Sequence, residues 1–140
     1  MKVEAIHLRA PNADDVHPAE SAQAVAGKGL EGDRHFFEDG ARPGLALTLI
    51  EGDVVRGAEL AAGSTRRQVT VTGTGLNDLV GKRFRVGSVE CYGVMLCEPC
   101  LHLQELTRPG IVKELVHRAG LNADILTDGS IAVGDDVVEL

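Results

Sequence analysis

The sequence is poor in aromatic residues. Among its 140 residues there is no Trp, one Tyr and three Phe, so the core must be built from Val, Leu, Ile and Ala. No apolar run approaches the ~18 residues that a membrane-spanning helix needs. Positive charge is also scarce, with 14 basic residues against 21 acidic ones and a net charge of -7. This charge argues against general binding to nucleic acids or to anionic membranes.

Cysteine is scarce as well, and odd in number. The three thiols are Cys91, Cys97 and Cys100, and an odd count fits poorly with a framework of structural disulfides. The first residues, Met1 to Glu4, contain no apolar core of a signal peptide. We therefore expect a cytoplasmic protein in which the three thiols are reduced.

The length and the strand pattern predict a single domain, residues 1–140, that is mainly β with a few helices (α+β). Seventeen glycines and many short Val-rich runs are typical of a turn-rich fold of this class. Strands that cluster into antiparallel hairpins favour a closed or half-closed antiparallel β-barrel over a doubly wound sheet. The predicted strands are 1–9, 45–50, 67–72, 83–86, 89–96, 123–127, 130–133 and 137–140, with Asp128-Gly129 as the strongest hairpin turn. The predicted helices are 18–26, 53–62 and 109–119, and a long loop covers 29–44.

The most informative segment is Leu96-Cys97-Glu98-Pro99-Cys100-Leu101-His102-Leu103. It places two thiols where the apolar strand 89–96 gives way to a short helix, whose first turn suits Pro99 because proline lacks the N–H that is unpaired there. Cys100 would then lie beside free backbone N–H groups at the positive end of the helix dipole. A thiol in such a position loses its proton more easily, and the thiolate is both a nucleophile and a metal ligand. The segment therefore predicts a reactive sulfur at Cys100.

A second candidate is the glycine segment, Gly29-Leu30-Glu31-Gly32-Asp33-Arg34-His35. Its glycines allow the backbone to approach a ligand closely. Asp33, Arg34 and His35 supply an acceptor, a two-pronged donor and a titratable ring at one place. The same pattern also fits a glycine turn with solvated charges. The glycine spacing differs from that of the dinucleotide-binding fingerprint.

The charge balance reverses in residues 64–89, where five basic residues stand against a single acidic one. Arginine side chains match the geometry of phosphate, so a small anion is a better partner than a nucleic-acid backbone. By strand alternation, Arg83 and Arg85 are expected to point into solvent. Arg66 and Arg67 are neighbours, so the same alternation lets at most one of them reach a given pocket.

The cysteines allow other interpretations. Cys91 lies within an apolar strand and is more often core filler than a ligand. A zinc site from the cysteines and His102 lacks a second well-spaced pair of ligands. Cys97 and Cys100 lie in the strand–turn–helix context of a thiol–disulfide pair, although the chain lacks the βαβ pattern of that class. No role is assigned to three isolated histidines, His7, His17 and His117.

Taken in order, several short motifs resemble the MOSC domain, the module named after the C-terminal part of molybdenum cofactor sulfurases. The resemblance covers about residues 29–138 and rests on the order and spacing of the motifs. They are Gly29-Leu30-Glu31-Gly32-Asp33-Arg34-His35, Arg66-Arg67-Gln68-Val69-Thr70, Leu79-Val80-Gly81-Lys82-Arg83-Phe84, Val86-Gly87, Glu98-Pro99-Cys100, Gly120-Leu121-Asn122-Ala123, Gly129-Ser130-Ile131 and Gly134-Asp135-Asp136-Val137. One departure is Gln68, which stands where many relatives have Asn.

The resemblance implies a MOSC-like β-barrel and a molybdopterin-type molybdenum cofactor. It implies that one cysteine, which maps onto Cys100, ligates molybdenum or carries sulfur as a persulfide. Cys97 is a second catalytic candidate that could stabilise or resolve the species on Cys100. The cofactor-binding candidates come from the matching motifs and are Gly32, Asp33, Arg34, His35, Arg67 and Glu98. Of these, the glycine segment and Arg67 would hold the phosphate of the pterin. We expect no pyridoxal phosphate site, because these residues include no aminotransferase-like part of a sulfurase.

Three hypotheses follow, and they differ in chemistry. The first is a MOSC protein that binds the molybdenum cofactor and either reduces N-hydroxylated compounds at the metal or transfers sulfur without it. The second is a thiol–disulfide redox module that uses Cys97 and Cys100, and the third is a non-catalytic binding module. The expected partners are a small-molecule cofactor or substrate and a sulfur-donor or electron-donor protein, with no nucleic acid and no membrane.

Overall fold

Short strands make up most of the regular structure. The computed structural model describes all residues from Met1 to Leu140. The strands are β1 (Val3–Leu8), β2 (His17–Ala19), β3 (Ser21–Val25), β4 (Gly29–Leu30), β5 (Leu47–Glu51), β6 (Val69–Val71), β7 (Arg83–Val86), β8 (Val89–Leu96), β9 (Leu121–Ile125), β10 (Gly129–Ala132) and β11 (Val137–Glu139). The helices are α1 (Gly52–Gly57), α2 (Leu101–Leu106) and α3 (Ile111–Glu114), and a 3-10 turn covers Leu76–Leu79. None of these helices has the length and apolar character needed to cross a membrane.

Eight strands form one curled sheet in the order β11-β7-β8-β9-β5-β6-β1-β2. Its pairs are antiparallel except for β5 and β6, which run parallel. The two sides of the curl also meet, because the Val3 N–H donates to the Asp135 carbonyl and the Val137 N–H donates to the Met1 carbonyl, each at 2.8 Å. The mainly β, half-closed barrel expected from the sequence is therefore confirmed.

A second sheet, in the order β10-β3-β4, corrects two predictions. The helix predicted over 18–26 is wrong, since this segment forms β2 and β3, in which buried Ala22 and Ala24 alternate with exposed residues. The hairpin predicted at Asp128-Gly129 is also wrong. β9 pairs with β5 and β8, whereas β10 pairs with β3. The Asp128 carboxylate instead accepts a hydrogen bond from the Ala26 N–H at 2.7 Å, which holds the crossing between the two sheets.

The helices predicted over 53–62 and 109–119 are shorter than expected. Each ends well before the predicted limit, α1 at Gly57 and α3 at Glu114. Shortly after each helix one residue adopts a positive φ, 58° at Glu59 and 62° at His117. A right-handed helix cannot continue through this conformation, so both helices are shorter than the apolar pattern predicts.

Two groups of buried apolar side chains position the site. The larger group is shared by the strands of both sheets and includes Phe84 and Cys91. Burial raises the pKa of the Cys91 thiol to about 12, so this cysteine is a core residue. The smaller group joins the three helices and consists of Ala58, Leu103, Ile111, Leu115 and Ala119. Because Leu103 belongs to α2, this packing fixes α2 against the rest of the protein.

The outer side of the curled sheet is polar where β9, β5, β6 and β1 lie side by side. Every second residue of these strands packs into the larger core, so the residues between them face the opposite side. Outward residues on or directly beside these strands include Asn122, Thr48, Gln68, His7 and Arg9. They form one surface, on which the site is built.

Candidate functional site

A cavity of about 550 Å³ lies over this outward surface. Its walls are residues 33–35 of the glycine segment, the turn at 65–67, Cys97 and the beginning of α2. A cavity of this size is typical of small-molecule sites. The fold therefore brings the cysteine segment and the glycine segment, which are far apart in the sequence, to one place.

Six of the eight residues predicted for the site line this cavity, namely Asp33, Arg34, His35, Arg67, Cys97 and Cys100. The other two, Gly32 and Glu98, do not. Gly32 is exposed in the turn before Asp33, with a φ of 83°. The Glu98 carboxylate accepts hydrogen bonds from the His117 backbone N–H at 2.7 Å and from its Nδ1 at 2.6 Å. Glu98 thus ties the cysteine segment to the turn after α3.

Asp33 is buried and fixes the glycine segment. Its carboxylate accepts hydrogen bonds from the Arg9 N–H at 2.8 Å, the His35 N–H at 3.0 Å and the Gln68 side-chain amide at 2.8 Å. Three protein donors therefore occupy the acceptor that the sequence offered to a ligand. Asp33 instead positions the neighbouring residues Arg34 and His35, whose exposed side chains can contact a ligand.

Gln68, the departure from the family pattern, is part of the same network. Its Oε1 accepts a hydrogen bond from the Thr48 N–H at 2.9 Å while its Nε2 donates to Asp33. The side chain is 4% exposed. Gln68 thus joins the floor of the cavity to the glycine segment.

The Arg67 side chain is hydrogen-bonded to the backbone of the cysteine segment. Its guanidinium donates to the carbonyls of Ala119 at 2.8 Å, Thr65 at 3.1 Å and Cys97 at 3.4 Å. The Cys97 N–H donates in turn to the Gly120 carbonyl at 2.8 Å. Arg67 therefore contributes positive charge to the cavity, but its guanidinium is engaged by three backbone carbonyls, one of which is that of Cys97.

Substitution of Arg67 by Lys is expected to loosen this segment. Lys keeps the charge but cannot reach three carbonyls with one ammonium group, so we expect a loss of about 1–3 kcal/mol in the free energy of unfolding. Hydrogen exchange at the Cys97 amide should become faster in the same variant. Urea denaturation and exchange monitored by NMR measure the two effects. Arg85→Lys, an exposed strand position, is the control, and an equal effect in both variants would contradict the positioning role.

Arg66 and Arg67 both line the cavity, which corrects the expectation that only one could do so. The reason is that Arg66 adopts a positive φ of 60°, and this interrupts the alternation of an extended chain. Other basic residues of 64–89 lie elsewhere: Lys82 pairs with Glu139 at 3.1 Å and Arg83 with Glu90 at 2.5 Å. Of the basic residues in 64–89, only Arg66 and Arg67 therefore reach the cavity.

The positive charge of the cavity comes from four arginines of three chain segments: Arg9, Arg34, Arg66 and Arg67. Against them stands one lining carboxylate, Asp33, which already has three donors. Arg9 was not a candidate in the sequence analysis. Its position two residues after His7 on an outward strand face is the signal that could have found it.

His7, to which no role was assigned, lies in the floor of the cavity and is 8% exposed. Burial lowers the pKa of its imidazole, and the nearby His17 lowers it further. The ring is therefore neutral at neutral pH. An isolated histidine in a strand gives no sequence signal beyond its outward register between Ile6 and Leu8.

The two cysteines at the cavity differ in environment. Cys100 is exposed and is the N-cap residue of α2, so Pro99 precedes the helix instead of lying in its first turn as predicted. Cys97 is partly buried, and burial raises the pKa of its thiol, although the positive charge of Arg67 opposes this shift. Cys97 is thus a thiol at neutral pH, and Cys100 is the sulfur open to a ligand.

No three His, Cys, Asp or Glu side chains of the chain lie close enough together to hold a metal ion by themselves. A metal at this cavity would need ligand atoms from a bound molecule in addition to the Cys100 thiolate. A cofactor that brings its own sulfur or oxygen ligands meets this condition.

The fold and the cavity define a class of protein, a half-closed β-barrel that carries an exposed cysteine beside an arginine-lined pocket on its outer side. The family model described as the MOSC domain matches residues 41–138. Since the match covers more than half of the sequence, the chain belongs to the MOSC domain family, as the resemblance implied. The glycine segment precedes the matched residues, so its place in the site rests on the structure.

Solved structures share this fold. The YuaD protein of Bacillus subtilis matches with a TM-score of 0.79 and 15% identity, over 97% of this chain and 93% of that one. YiiM of Geobacillus stearothermophilus matches with a TM-score of 0.75 and 17% identity, over 99% and 74% of the two chains. YiiM of Escherichia coli matches with a TM-score of 0.71 and 15% identity, over 100% and 70%. No curated protein matches the sequence.

Proposed function

We propose that the cavity binds a phosphate-bearing cofactor of the molybdopterin type and that Cys100 acts there as a ligand of molybdenum or as a persulfide sulfur carrier. One observation carries the proposal: the exposed thiol of Cys100 shares a cavity with four arginine side chains. Reactive sulfur and anion-binding charge are the two features that this chemistry requires together.

The lining of the cavity fits such a cofactor in two respects. The guanidinium groups favour an anion, because arginine binds phosphate through paired charge-assisted hydrogen bonds. Apolar side chains supply a surface for the faces of a flat heterocycle, and they are Val16, Leu45, Leu103 and Leu106. Ligand sites of this volume combine apolar walls with a few placed polar groups in the same way.

The residues of the chain have separate tasks in this function. When bound, the cofactor would supply two-electron redox chemistry at molybdenum, the chemistry that reduction of an N-hydroxylated compound needs. The arginines bind its phosphate, and Arg67 orients the cysteine segment through the Cys97 carbonyl. The packing of Leu103 keeps α2 in place, so that Cys100 is presented at a fixed position on the cavity wall.

Sulfur transfer is the second chemistry that the same site supports. In this reaction the Cys100 thiolate attacks the outer sulfur of a donor persulfide, forms a new S–S bond and releases the donor as a thiolate. No electrons are gained or lost overall, so a persulfide on a sulfur-donor protein is the only co-reactant. The exposure of Cys100 is what allows a protein donor to reach it.

Metal analysis and intact mass spectrometry test the proposal. The protein should be expressed where the cofactor is made, purified without oxygen or added thiols, and also incubated with a small-molecule persulfide donor. Molybdenum bound in proportion to protein supports the metal-ligand function, and a mass increase of one sulfur atom supports the carrier function. A protein that binds no molybdenum and takes up no sulfur would refute both.

A further inference from the structure

Three buried side-chain polar atoms have no hydrogen-bond partner in the protein, and two of them belong to residues that line the cavity. The three atoms are His7 Nδ1, Arg9 Nε and Ser64 Oγ. His7 and Arg9 line the cavity, and Ser64 precedes Thr65, which also lines it. Proteins pair nearly all of their buried polar atoms because an unpaired one is destabilising. Two unpaired atoms on His7 and Arg9, which follow one another along the same outward face, point to a site that a ligand completes.

The backbone of this wall is firmly held, in contrast to its side-chain atoms. The His7 N–H donates to the Gln68 carbonyl at 2.8 Å, and the Arg9 carbonyl accepts from the Arg34 N–H at 2.7 Å. The Arg9 N–H donates to Asp33, also at 2.8 Å. The unpaired atoms therefore do not result from a loose or frayed strand.

The His7 ring is placed by a glycine on the facing turn. A Cβ at Gly63 would lie 2.6 Å from Cδ2 and 2.9 Å from Nε2 of the ring, and Gly63 has a φ of 78°. Any other residue would both clash with the imidazole and strain the backbone. The chain thus makes room for His7 at the floor of the cavity although the ring gains no hydrogen bond from the protein there.

We propose that His7 and Arg9 form an oxyanion subsite that takes the phosphate group of the cavity's ligand. The inference rests on the proposed function and deepens it by assigning the phosphate to this wall. Arg9 Nε only donates, and an imidazole N–H donates as well. The one carboxylate that lines the cavity, Asp33, already accepts three hydrogen bonds. On binding, the two side chains turn these atoms to the phosphate, a rotamer change of the kind that is common at interfaces.

This assignment differs from the one that the family resemblance suggests. There, the phosphate would lie against the glycine segment and Arg67. The guanidinium of Arg67 is already committed to three carbonyls, whereas Arg9 Nε is uncommitted. The wall of β1 is therefore the better phosphate site, and Arg34 on the glycine segment is the competing position.

Titration with inorganic phosphate tests the subsite, with chloride at matched ionic strength as the reference. Thermal shift and calorimetry are measured for the wild type, His7→Phe and Arg9→Met, with Arg85→Met, an exposed arginine outside the cavity, as the control. We expect His7→Phe and Arg9→Met to weaken phosphate binding by about tenfold each, the loss of one charge-assisted hydrogen bond. Arg85→Met should leave it unchanged, and Arg34→Met, at the competing position, should weaken it less than His7→Phe or Arg9→Met does.

A second measurement separates a binding role from a structural one. Without phosphate, His7→Phe should be about as stable as the wild type, because removal of the unpaired nitrogen offsets the cost of the slightly larger ring. Lower stability with unchanged phosphate affinity would overturn the subsite. So would a larger effect in Arg34→Met, and the proposed function would then stand with its phosphate placed elsewhere. A wild type that does not respond to phosphate would overturn the subsite, and with it the anion-binding part of the proposed function, while sulfur uptake on Cys100 is scored independently.

Discussion

Replacement of Cys100 by Ser is expected to abolish sulfur uptake and to remove bound molybdenum, whereas Cys97→Ser should retain most of both. A serine hydroxyl stays protonated near neutral pH, so it replaces the thiolate neither as a nucleophile nor as a soft metal ligand. Cys97 is partly buried and burial raises the pKa of its thiol, which keeps it in the unreactive form. Intact mass after exposure to a persulfide donor, and elemental analysis of the purified variants, measure the two effects.

The pair of variants also separates the three hypotheses. Equal loss in Cys97→Ser and Cys100→Ser would favour a thiol–disulfide module, and the reduction potential of the pair would then be the quantity to measure. Unchanged molybdenum and sulfur content in Cys100→Ser would contradict the proposed function outright. If neither thiol reacts with an alkylating reagent at neutral pH, the non-catalytic binding module is the correct description.

Replacement of Asp33 by Ala is expected to be the most destabilising substitution at the site. It leaves three donors without an acceptor: the N–H groups of Arg9 and His35 and the side-chain amide of Gln68. At about 1 kcal/mol or more for each unpaired buried donor, the loss is about 3 kcal/mol in the free energy of unfolding. For a domain of this size the melting temperature should fall by about 10 °C.

A matched control lies in the same loop. Asp39 is exposed, so Asp39→Ala should change the free energy of unfolding by less than about 0.5 kcal/mol. Chemical denaturation of both variants gives the comparison. Similar stability of the two variants would mean that water replaces the Asp33 carboxylate without loss, and that the glycine segment does not depend on it. Asp33→Ala should also weaken ligand binding, because Arg34 and His35 lose their fixed position.

The class of the fold could be predicted because alternation is local. Val69 and Val71 alternate with polar residues, and the same pattern in 83–86 indicates a strand with one buried face, whereas 89–96 is recognised as a strand by its apolar run. The pairing of those strands is not local. The turn signal at Asp128-Gly129 predicts a hairpin between the strands on either side of it. The partner of β10 is instead β3, more than a hundred residues earlier in the sequence. Such pairings depend on which distant faces can be buried together.

The sequence predicted which residues form the candidate site better than it predicted the role of each side chain. The cysteine and glycine segments contain the residues that line the cavity, but no spacing rule brings them to one wall. Arg67 was expected to bind a phosphate, and its side chain instead holds backbone carbonyls that the sequence does not reveal as acceptors. Arg66 reaches the cavity only because its backbone has a positive φ. The sequence does not predict this conformation, since an arginine next to a strand normally has a negative φ.

The hydrogen bonds between the first residues and those near the end of the chain set an order of events during synthesis. The Val3 N–H donates to the Asp135 carbonyl, and the Val137 N–H donates to the Met1 carbonyl, so the curl of the sheet cannot close until residues 135–137 have left the ribosome. Contacts of such long sequence separation form slowly, and until then β1 is held by β2 and β6 alone. A nascent chain that halts before β11 would carry both cavity thiols, Cys97 and Cys100, on an unclosed sheet. These thiols would then be exposed to the cell before the fold is complete.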